Sequence, residues 1–313
     1  MEVNIIIYGD LTTKETIGKI EVLKKERNAI IMSHYYQHDE VQDIADYLGD
    51  SFGLSQKAAT TDADMIVFCG VKFMAESAKI LSPDKTVVLP EKMAGCPMAD
   101  MVDVAGLREM KNKYPDYTVV TYVNSTAAVK AESDVCCTSS NALQIVESIN
   151  NDKILFVPDK NLGTYVADRT DKEVVVWDGY CNTHYRVKVE DIKKIRDKFS
   201  EAPILIHPEC RPEVVAMADY AGSTAGILKF ARESKENTLI IGTEQGILYQ
   251  LKKENPNKKF YILSPKLICP NMKKTHLDKV LNSLENTEFE ITIPEDIREK
   301  AYQSLNKMLE LAR

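Results

Sequence analysis

Apolar positions recur along this chain in three similar blocks. Each block opens on a stripe with helical spacing: Ile17, Ile20 and Leu23; Val104, Leu107 and Met110; then Val189, Ile192, Ile195 and Phe199. Spacings of three and four place each set on one face of an amphipathic helix. A short, continuously apolar run follows at residues 29–32, 118–121 and 203–206, and predicts a strand. Polar residues end each run: His34-Tyr35-Tyr36-Gln37, Tyr122-Val123-Asn124-Ser125 and His207-Pro208-Glu209-Cys210. A further helix is predicted to open at Ser51, Ser139 and Thr224, residue types that favour the N-cap. Second strand runs fall at 65–68, 154–157 and 239–241, and third runs at 86–89, 174–177 and 260–263.

Helices alternating with strands that are apolar throughout imply parallel sheets covered on both faces. The predicted fold class is therefore α/β: three similar three-layer α/β/α units with short parallel sheets, related by pseudo-threefold symmetry around a central active site. The units are expected over 1–101, 102–187 and 188–274, with a C-terminal helical extension over 275–313. In that extension Pro294-Glu295-Asp296 reads as a helix start, and Ile297, Ala301, Leu305 and Leu309 form an apolar stripe. It is expected to dock on the first unit. In parallel α/β units the ligand edge lies at the carboxyl ends of the strands. His34, Tyr36, Tyr122, Asn124, His207 and Glu209 all fall at that edge.

Each third strand run leads into a loop with a cysteine: Ala94-Gly95-Cys96-Pro97, Asp178-Gly179-Tyr180-Cys181-Asn182 and Ile268-Cys269-Pro270-Asn271. Cys96, Cys181 and Cys269 are spaced by 85 and 88 residues, and none belongs to a CxxC pair. One thiol per repeat converges only if the repeats face a common centre, so the three are candidate metal ligands. Structural zinc takes four ligands, commonly from paired spacings, whereas thiolate-rich sites suit iron–sulfur clusters. Zinc stays open as an alternative on spacing alone. Cys69, Cys136, Cys137 and Cys210 do not recur between repeats and read as bystanders.

His34 and His207 end equivalent strands and are candidates for acid–base or anion-binding roles. Glu209, held between Pro208 and Pro212, is the candidate base. The helix starts at Ser51, Ser139 and Thr224 offer free N–H groups and positive dipole ends to an anion. No P-loop or GxGxxG motif points to a nucleotide.

The chain has 313 residues, 44% hydrophobic and 28% charged, with a net charge of −7. That balance argues against nucleic acid or an anionic membrane as partner. The run Ile5-Ile6-Ile7 lacks a cationic lead-in and a cleavage site, so no secretory signal is expected. No apolar stretch approaches the roughly 18 residues of a membrane span. Seven cysteines, an odd number, point to free or metal-bound thiols in a reducing cytoplasm.

In order along nearly the whole chain, several segments resemble those of the quinolinate synthase family. They are Ser33-His34-Tyr35-Tyr36-Gln37, Gly70-Val71-Lys72-Phe73-Met74-Ala75-Glu76, Ala94-Gly95-Cys96, Tyr122-Val123-Asn124 and Thr138-Ser139-Ser140-Asn141-Ala142. Pro158-Asp159-Lys160-Asn161-Leu162-Gly163, His207-Pro208-Glu209-Cys210, Gly242-Thr243-Glu244 and Cys269-Pro270-Asn271-Met272 continue the resemblance. Lys72, where the family commonly has histidine, and Pro97 depart from the pattern.

The resemblance implies a 4Fe–4S cluster on Cys96, Cys181 and Cys269. It further implies an enzyme of NAD biosynthesis, of the transferase class, that condenses iminoaspartate with dihydroxyacetone phosphate to quinolinate, phosphate and two waters. His34, Tyr36, Ser51, Tyr122, Asn124, Ser139, His207, Glu209 and Thr224 carry over as its substrate shell. Glu209, Tyr36, His34 and His207 are the expected catalytic groups, and the open iron of the cluster the expected Lewis acid. The upstream enzyme that oxidises L-aspartate is an expected partner; nucleic acid and membrane are not. Two readings of other kinds compete. One is an iron–sulfur hydro-lyase acting on another small dicarboxylate. The other is a non-catalytic iron–sulfur sensor, which no DNA-binding helix pair or basic stripe supports.

Overall fold

One order of elements is repeated three times in the computed structural model, which describes residues 12–312. Ile5-Ile6-Ile7 lies outside those residues. The first block runs α1 (Thr13–Glu26), β1 (Ala29–His34), α2 (Asp39–Asp43), β2 (Tyr47–Gly49), α3 (Ser51–Thr60), β3 (Met65–Cys69), α4 (Lys72–Leu81), β4 (Thr86–Val88). The second runs α5 (Val104–Lys113), β5 (Thr118–Tyr122), α6 (Ala127–Ala131), β6 (Val135–Cys137), α7 (Ala142–Ser148), β7 (Lys153–Val157), α8 (Lys160–Ala167), β8 (Glu173–Val176). A single extra turn, α9 (Asn182–Tyr185), follows Cys181. The third runs α10 (Val189–Arg196), β9 (Ile204–Ile206), α11 (Pro212–Val215), β10 (Tyr220–Ala221), α12 (Thr224–Glu233), β11 (Thr238–Gly242), α13 (Ile247–Glu254), β12 (Lys259–Ile262).

Each block closes one four-stranded sheet, and all pairings within the sheets are parallel. The strand orders are β2-β1-β3-β4, β6-β5-β7-β8 and β10-β9-β11-β12, the same pattern each time. This is the α/β class that the alternation predicts, with helices flanking short parallel sheets. The edge strands β2, β6 and β10 were not legible in the sequence. They have two or three residues each, too few to show a strand period. Register puts the end of β1 beside the end of β2, His34 against Gly49, and the chain turns from there directly into α3.

The helix stripes bury as their spacing predicts. Ile20, Leu107 and Ile192 are fully buried, one under each opening helix, and each belongs to a separate apolar cluster on the outer face of its sheet. The inner faces share one cluster that draws on all three blocks, including Met32, Phe68, Val120, Phe156, Leu205 and Ile241. Burying both faces of such short sheets requires the blocks to pack against one another. Their strand ends are thereby brought to one place.

After Cys269 the plan changes. α14 (Leu277–Asn286) packs on α1 and β3 of the first block. The chain then bonds to the outer strand β4, Ile291 N–H donating to the Val87 carbonyl at 2.8 Å. α15 (Glu295–Leu311) crosses to the second block, where it lies against α6 and β6 and also touches α4. Its buried Ala301, Leu305 and Met308 join the shared core. Among the described residues no helix is long and apolar enough to cross a membrane.

Candidate active site

The carboxyl ends of the three sheets enclose one cavity. All twelve residues singled out from the sequence line it: His34, Tyr36 and Ser51; Tyr122, Asn124 and Ser139; His207, Glu209 and Thr224; and Cys96, Cys181 and Cys269. The cavity has a volume of about 140 Å³. The carboxamide oxygen of Asn124 is buried there without a hydrogen-bond partner among the described residues. An orphaned acceptor of that kind calls for a donor from a ligand or water.

The cysteine loops are tied to one another. Asn271 Nδ2 donates to the Gly95 carbonyl at 2.8 Å, linking the Cys269 and Cys96 loops. Trp177 Nε1 donates to the Met101 carbonyl at 2.9 Å, linking the strand before Cys181 to the segment after Cys96. The Thr183 hydroxyl acts on the Cys269 sulfur. Gly179 is required here, because a Cβ on it would lie 2.3 Å from the Pro158 carbonyl oxygen.

The three thiols are free and half-buried, whereas Cys69, Cys136, Cys137 and Cys210 are fully buried. Burial pushes the Cys96 thiol up to about 12, and raises Cys181 and Cys269 as well. Against it, the backbone N–H three residues on favours the thiolate in each loop, from Ala99, His184 and Met272. The Cys269 thiolate disfavours that of Cys96, and both disfavour that of Cys181, so a bound cation would supply the charge that lets all three ionise. A second group with metal-ligand character overlaps the first. Cys181 Sγ, a His184 ring nitrogen and a Glu209 oxygen lie within 4.8 Å of one another.

His34 and His207 are held in the same local way. The N–H of Tyr36 donates to His34 Nδ1 at 3.1 Å, and that of Glu209 donates to His207 Nδ1 at 3.2 Å. Each Nδ1 is thus an acceptor, and the ring proton sits on Nε2. His207 Nε2 lies 3.2 Å from Ser139 Oγ. Burial lowers both rings to about 3, with the Lys273 charge adding to the effect at His34. They are neutral hydrogen-bond donors at physiological pH rather than bases, which narrows the acid–base role expected of them.

Glu209 is the charged centre. It is 3% exposed. Burial works against its charge, but His207, His184 and Tyr122 outweigh burial and hold it well below the usual carboxylate range. Its two oxygens accept from Tyr122 Oη and His184 Nδ1, each at 2.6 Å. Tyr122 and Tyr36 are raised well above the ordinary phenol value by burial, so both keep their protons. Tyr36 Oη contacts Thr224 Oγ1 at 2.7 Å.

Helices open at Ser51 and Thr224 as expected, but neither residue is the cap, and no helix opens at Ser139. Ser51 and Thr224 are the first helical residues, and the caps are Asp50 and Ser223, each accepting from an N–H three residues on. Ser139 lies in the turn before α7, whose N-cap is Asn141. The hydroxyls of Ser51, Ser139 and Thr224 are therefore free of capping duty and line the cavity. Asp50 makes the α3 end unlike the other two. Its second oxygen accepts from Ser140 Oγ at 2.6 Å, so a carboxylate already sits at that helix terminus.

His184, Glu244 and Asp50 also line the cavity, and none was singled out from the sequence. His184 follows Cys181 by three residues, a spacing that could have flagged it. The equivalent positions are Ala99 and Met272, so a comparison of repeats filters it out. Glu244 is fully buried. It accepts from the N–H groups of Gly246 at 2.7 Å and Cys269 at 3.2 Å, and pairs with Lys273 at 3.2 Å. Lys273 also donates to the Tyr36 carbonyl. This pair fastens the Cys269 loop to the Tyr36 loop across the first and third blocks.

Comparison with known proteins gives a consistent answer. A family model described as quinolinate synthetase A protein matches residues 18–310. A curated quinolinate synthase of Alkaliphilus metalliredigens is 56% identical over 296 residues, 94% of this chain and 98% of that protein. One from Caldicellulosiruptor saccharolyticus is 57% identical over 295 residues, covering 94% and 97%. A third, from the archaeon Methanosarcina barkeri, is 53% identical over 295 residues with the same coverage.

Proposed function

Because the chain belongs to the quinolinate synthase family, we propose that it is an enzyme of NAD biosynthesis acting in the cytoplasm. It condenses iminoaspartate with dihydroxyacetone phosphate to give quinolinate, phosphate and two waters. The atoms balance without an oxidant or reductant, so the protein has to bind anions, move protons and expel water. The observation that carries this reading is the arrangement around Glu209. One ionised carboxylate lies between two donors, Tyr122 and His184, in a cavity whose lining also includes the Asp50 and Glu244 carboxyls, the Arg186 guanidinium, three thiols and several hydroxyls.

The donor set fits a 4Fe–4S cluster held by Cys96, Cys181 and Cys269: three free thiols, tied loop to loop, open on one cavity. When bound there the cluster supplies a Lewis-acidic iron with a free coordination position. Glu209 acts as the base that takes protons during isomerisation of the triose unit and ring closure, substrate displacing one of the bonds from Tyr122 and His184 that lower its basicity in the unliganded site. His34 and His207 donate from Nε2 to substrate oxygens. Tyr36 and Asn124 add contacts within the substrate shell.

The three helix starts share the anions unequally. Asp50 already places negative charge at the start of α3, whereas α12 is capped by the neutral Ser223. The α12 terminus, with Thr224, is therefore the better seat for the phosphate or a carboxylate. Ser51 and Ser139 then bind the remaining carboxylates chiefly through their hydroxyls. Iminoaspartate is supplied by an enzyme that oxidises L-aspartate.

The test is quinolinate formation from the two substrates by protein kept under strict anaerobiosis, with iron and sulfide measured on the same sample. Quinolinate is expected; its absence from protein with a full cluster refutes the reading. A mononuclear ion on Cys181, His184 and Glu209 is the competing arrangement, favoured by the 4.8 Å clustering of their ligand atoms. It needs neither Cys96 nor Cys269. Metal retained at full stoichiometry, without sulfide, in Cys96→Ser would select it.

A further inference from the structure

One charge in the cavity wall has no counterpart in the protein. Three carboxyl groups line the cavity, and each is engaged. Glu209 accepts from Tyr122 and His184, Asp50 from the Gly53 N–H and Ser140 Oγ, and Glu244 from two backbone N–H groups and Lys273. Arg186 is the single lysine or arginine in the lining. Among the described residues its guanidinium has no hydrogen bond, ion pair or ring contact. The nearby cations are spent elsewhere. Arg211 lies 4.1 Å from the Tyr185 ring centroid and its Nε donates to the Tyr185 carbonyl at 3.0 Å. Lys273 pairs with Glu244, and Lys274 donates to the Met93 carbonyl at 2.8 Å.

The backbone that carries Arg186 is fixed even though the side chain is not. Arg186 is the C-cap of α9. Before it, Tyr185 packs against Arg211 and against Tyr180, ring centroids 4.3 Å apart. After it, Val187 is fully buried in an apolar cluster of the third block. A guanidinium is always charged, and its rigid fork of N–H donors matches the oxygens of a phosphate or carboxylate in pairs.

Charge and exposure decide which group it takes. The proposed reaction brings two carboxylates and a phosphate into a cavity that already holds the Glu209 charge. His34 and His207 are neutral there, and a helix start offers only about half a charge. A phosphate ester carries about −1.5 to −2 near neutral pH, the most of any group the substrates bring. Arg186 is half-buried, whereas Glu209, His34 and His207 are buried. The guanidinium therefore stands on the solvent side of the lining, on the way out for a group that departs as free phosphate. The carboxylates kept in the product belong deeper, beside Glu209.

We propose that Arg186 is a phosphate-binding residue of this site, pairing with the phosphate of the triose substrate and setting the preference for a phosphorylated triose. The inference rests on the reading of this cavity as the site of quinolinate formation, and it leaves the start of α12 to a carboxylate.

The experiment compares the cluster-loaded wild type with Arg186→Met, which removes the charge, and Arg186→Lys, which keeps the charge without the fork. Arg186→Met is expected to raise KM for dihydroxyacetone phosphate about 10- to 100-fold, the scale of one lost charge-assisted pair. The change in kcat is expected within about threefold and that in KM for iminoaspartate within about twofold. Arg186→Lys is expected to raise KM for the triose less than about tenfold. A KM for the triose within about twofold of wild type in Arg186→Met, or a rise confined to iminoaspartate, overturns the proposal. So does a fall in cluster content or thermal midpoint that accounts for the loss, since the side chain then supports the fold. Calorimetric binding to the holoenzyme without turnover separates this inference from the functional reading. Dihydroxyacetone phosphate and inorganic phosphate are expected to bind the wild type about tenfold or more tighter than Arg186→Met, with succinate, which carries carboxylates alone, unaffected. If the wild type makes no quinolinate yet shows that difference, the functional reading falls and the phosphate site stands. Equal phosphate binding by the two proteins, or an equal loss for succinate, overturns the site.

Discussion

Replacing Glu209 by Gln removes one charge from the centre of the site and almost no volume. The side chain is 3% exposed and holds two hydrogen bonds of 2.6 Å, from Tyr122 Oη and His184 Nδ1. A carboxamide keeps one acceptor oxygen and turns the other position into a donor. If the oxygen faces His184, the amide nitrogen meets the Tyr122 oxygen, and that hydroxyl must turn away. If it faces Tyr122, the amide nitrogen meets Nδ1 and forces the other histidine tautomer. Losing charge-assisted bonds costs about 1.5–3 kcal/mol each. Removing a buried charge returns a desolvation cost of similar size. The net change in stability is therefore small, about 1–2 kcal/mol in either direction. The chemical step has no such offset. A lost general base costs about 10²- to 10⁴-fold, equivalent to about 2.7–5.4 kcal/mol at 1.36 kcal/mol per tenfold. The assay is anaerobic quinolinate formation with iron and sulfide counted on the same sample. A Glu209→Gln variant with a full cluster and a rate within tenfold of wild type would refute the reasoning.

Three further outcomes are expected. Cys96→Ser, Cys181→Ser and Cys269→Ser should each lose the 4Fe–4S absorption of the reconstituted protein, while Cys69→Ser, at a fully buried position outside the cavity, should keep it. A cluster spectrum surviving any one of the first three removes that residue from the ligand set. Gly246→Ala should destabilise the protein by about 1–3 kcal/mol and slow turnover. Its Cβ would lie 2.7 Å from Lys273 Nζ and 2.8 Å from the Tyr36 backbone; a thermal midpoint and rate equal to wild type would count against that contact. His34 is held neutral in the fold, its pKa lowered by burial to about 3 from 6.5. Its contribution is complete above pH 6.5 and is lost as the unfolded ring takes up a proton on acidification. Between pH 7 and pH 5 that loss is about 2 kcal/mol. Denaturant unfolding of His34→Asn should decline less over that interval by this amount, and an equal decline would place the ring in water.

Much of the architecture was legible because it is written in local patterns. Ile20, Leu107 and Ile192 announced their helices by spacing alone, and runs such as 65–68 and 239–241 announced buried strands. The strands β2, β6 and β10 escaped because two or three residues leave no period to read. The exact caps escaped for a related reason. Asp50 and Ser51 are both good capping types, and only the backbone angles decide which of them stands outside the helix. His184 escaped because it has no counterpart at Ala99 or Met272, so the repeat logic that found the cysteines passed over it.

The sequence by itself determined the repeat, the class of fold and the strand-end positions from which chemistry could be done. Helical period, strand period and the even spacing of Cys96, Cys181 and Cys269 are properties of neighbours along the chain, and burial of both sheet faces follows from composition. Only the tertiary structure decided which of those groups meet and what each can do. The chain of contacts from Tyr122 through Glu209, His184 and Thr243 to Tyr36 joins segments of all three blocks at 2.5–2.9 Å. Hydrogen bonds discriminate at a few tenths of an ångström, a precision that is set by the packing of whole units. His34 and His207 illustrate the division. Their places at strand ends are read from the sequence, but burial and the N–H two residues on make them neutral donors rather than bases.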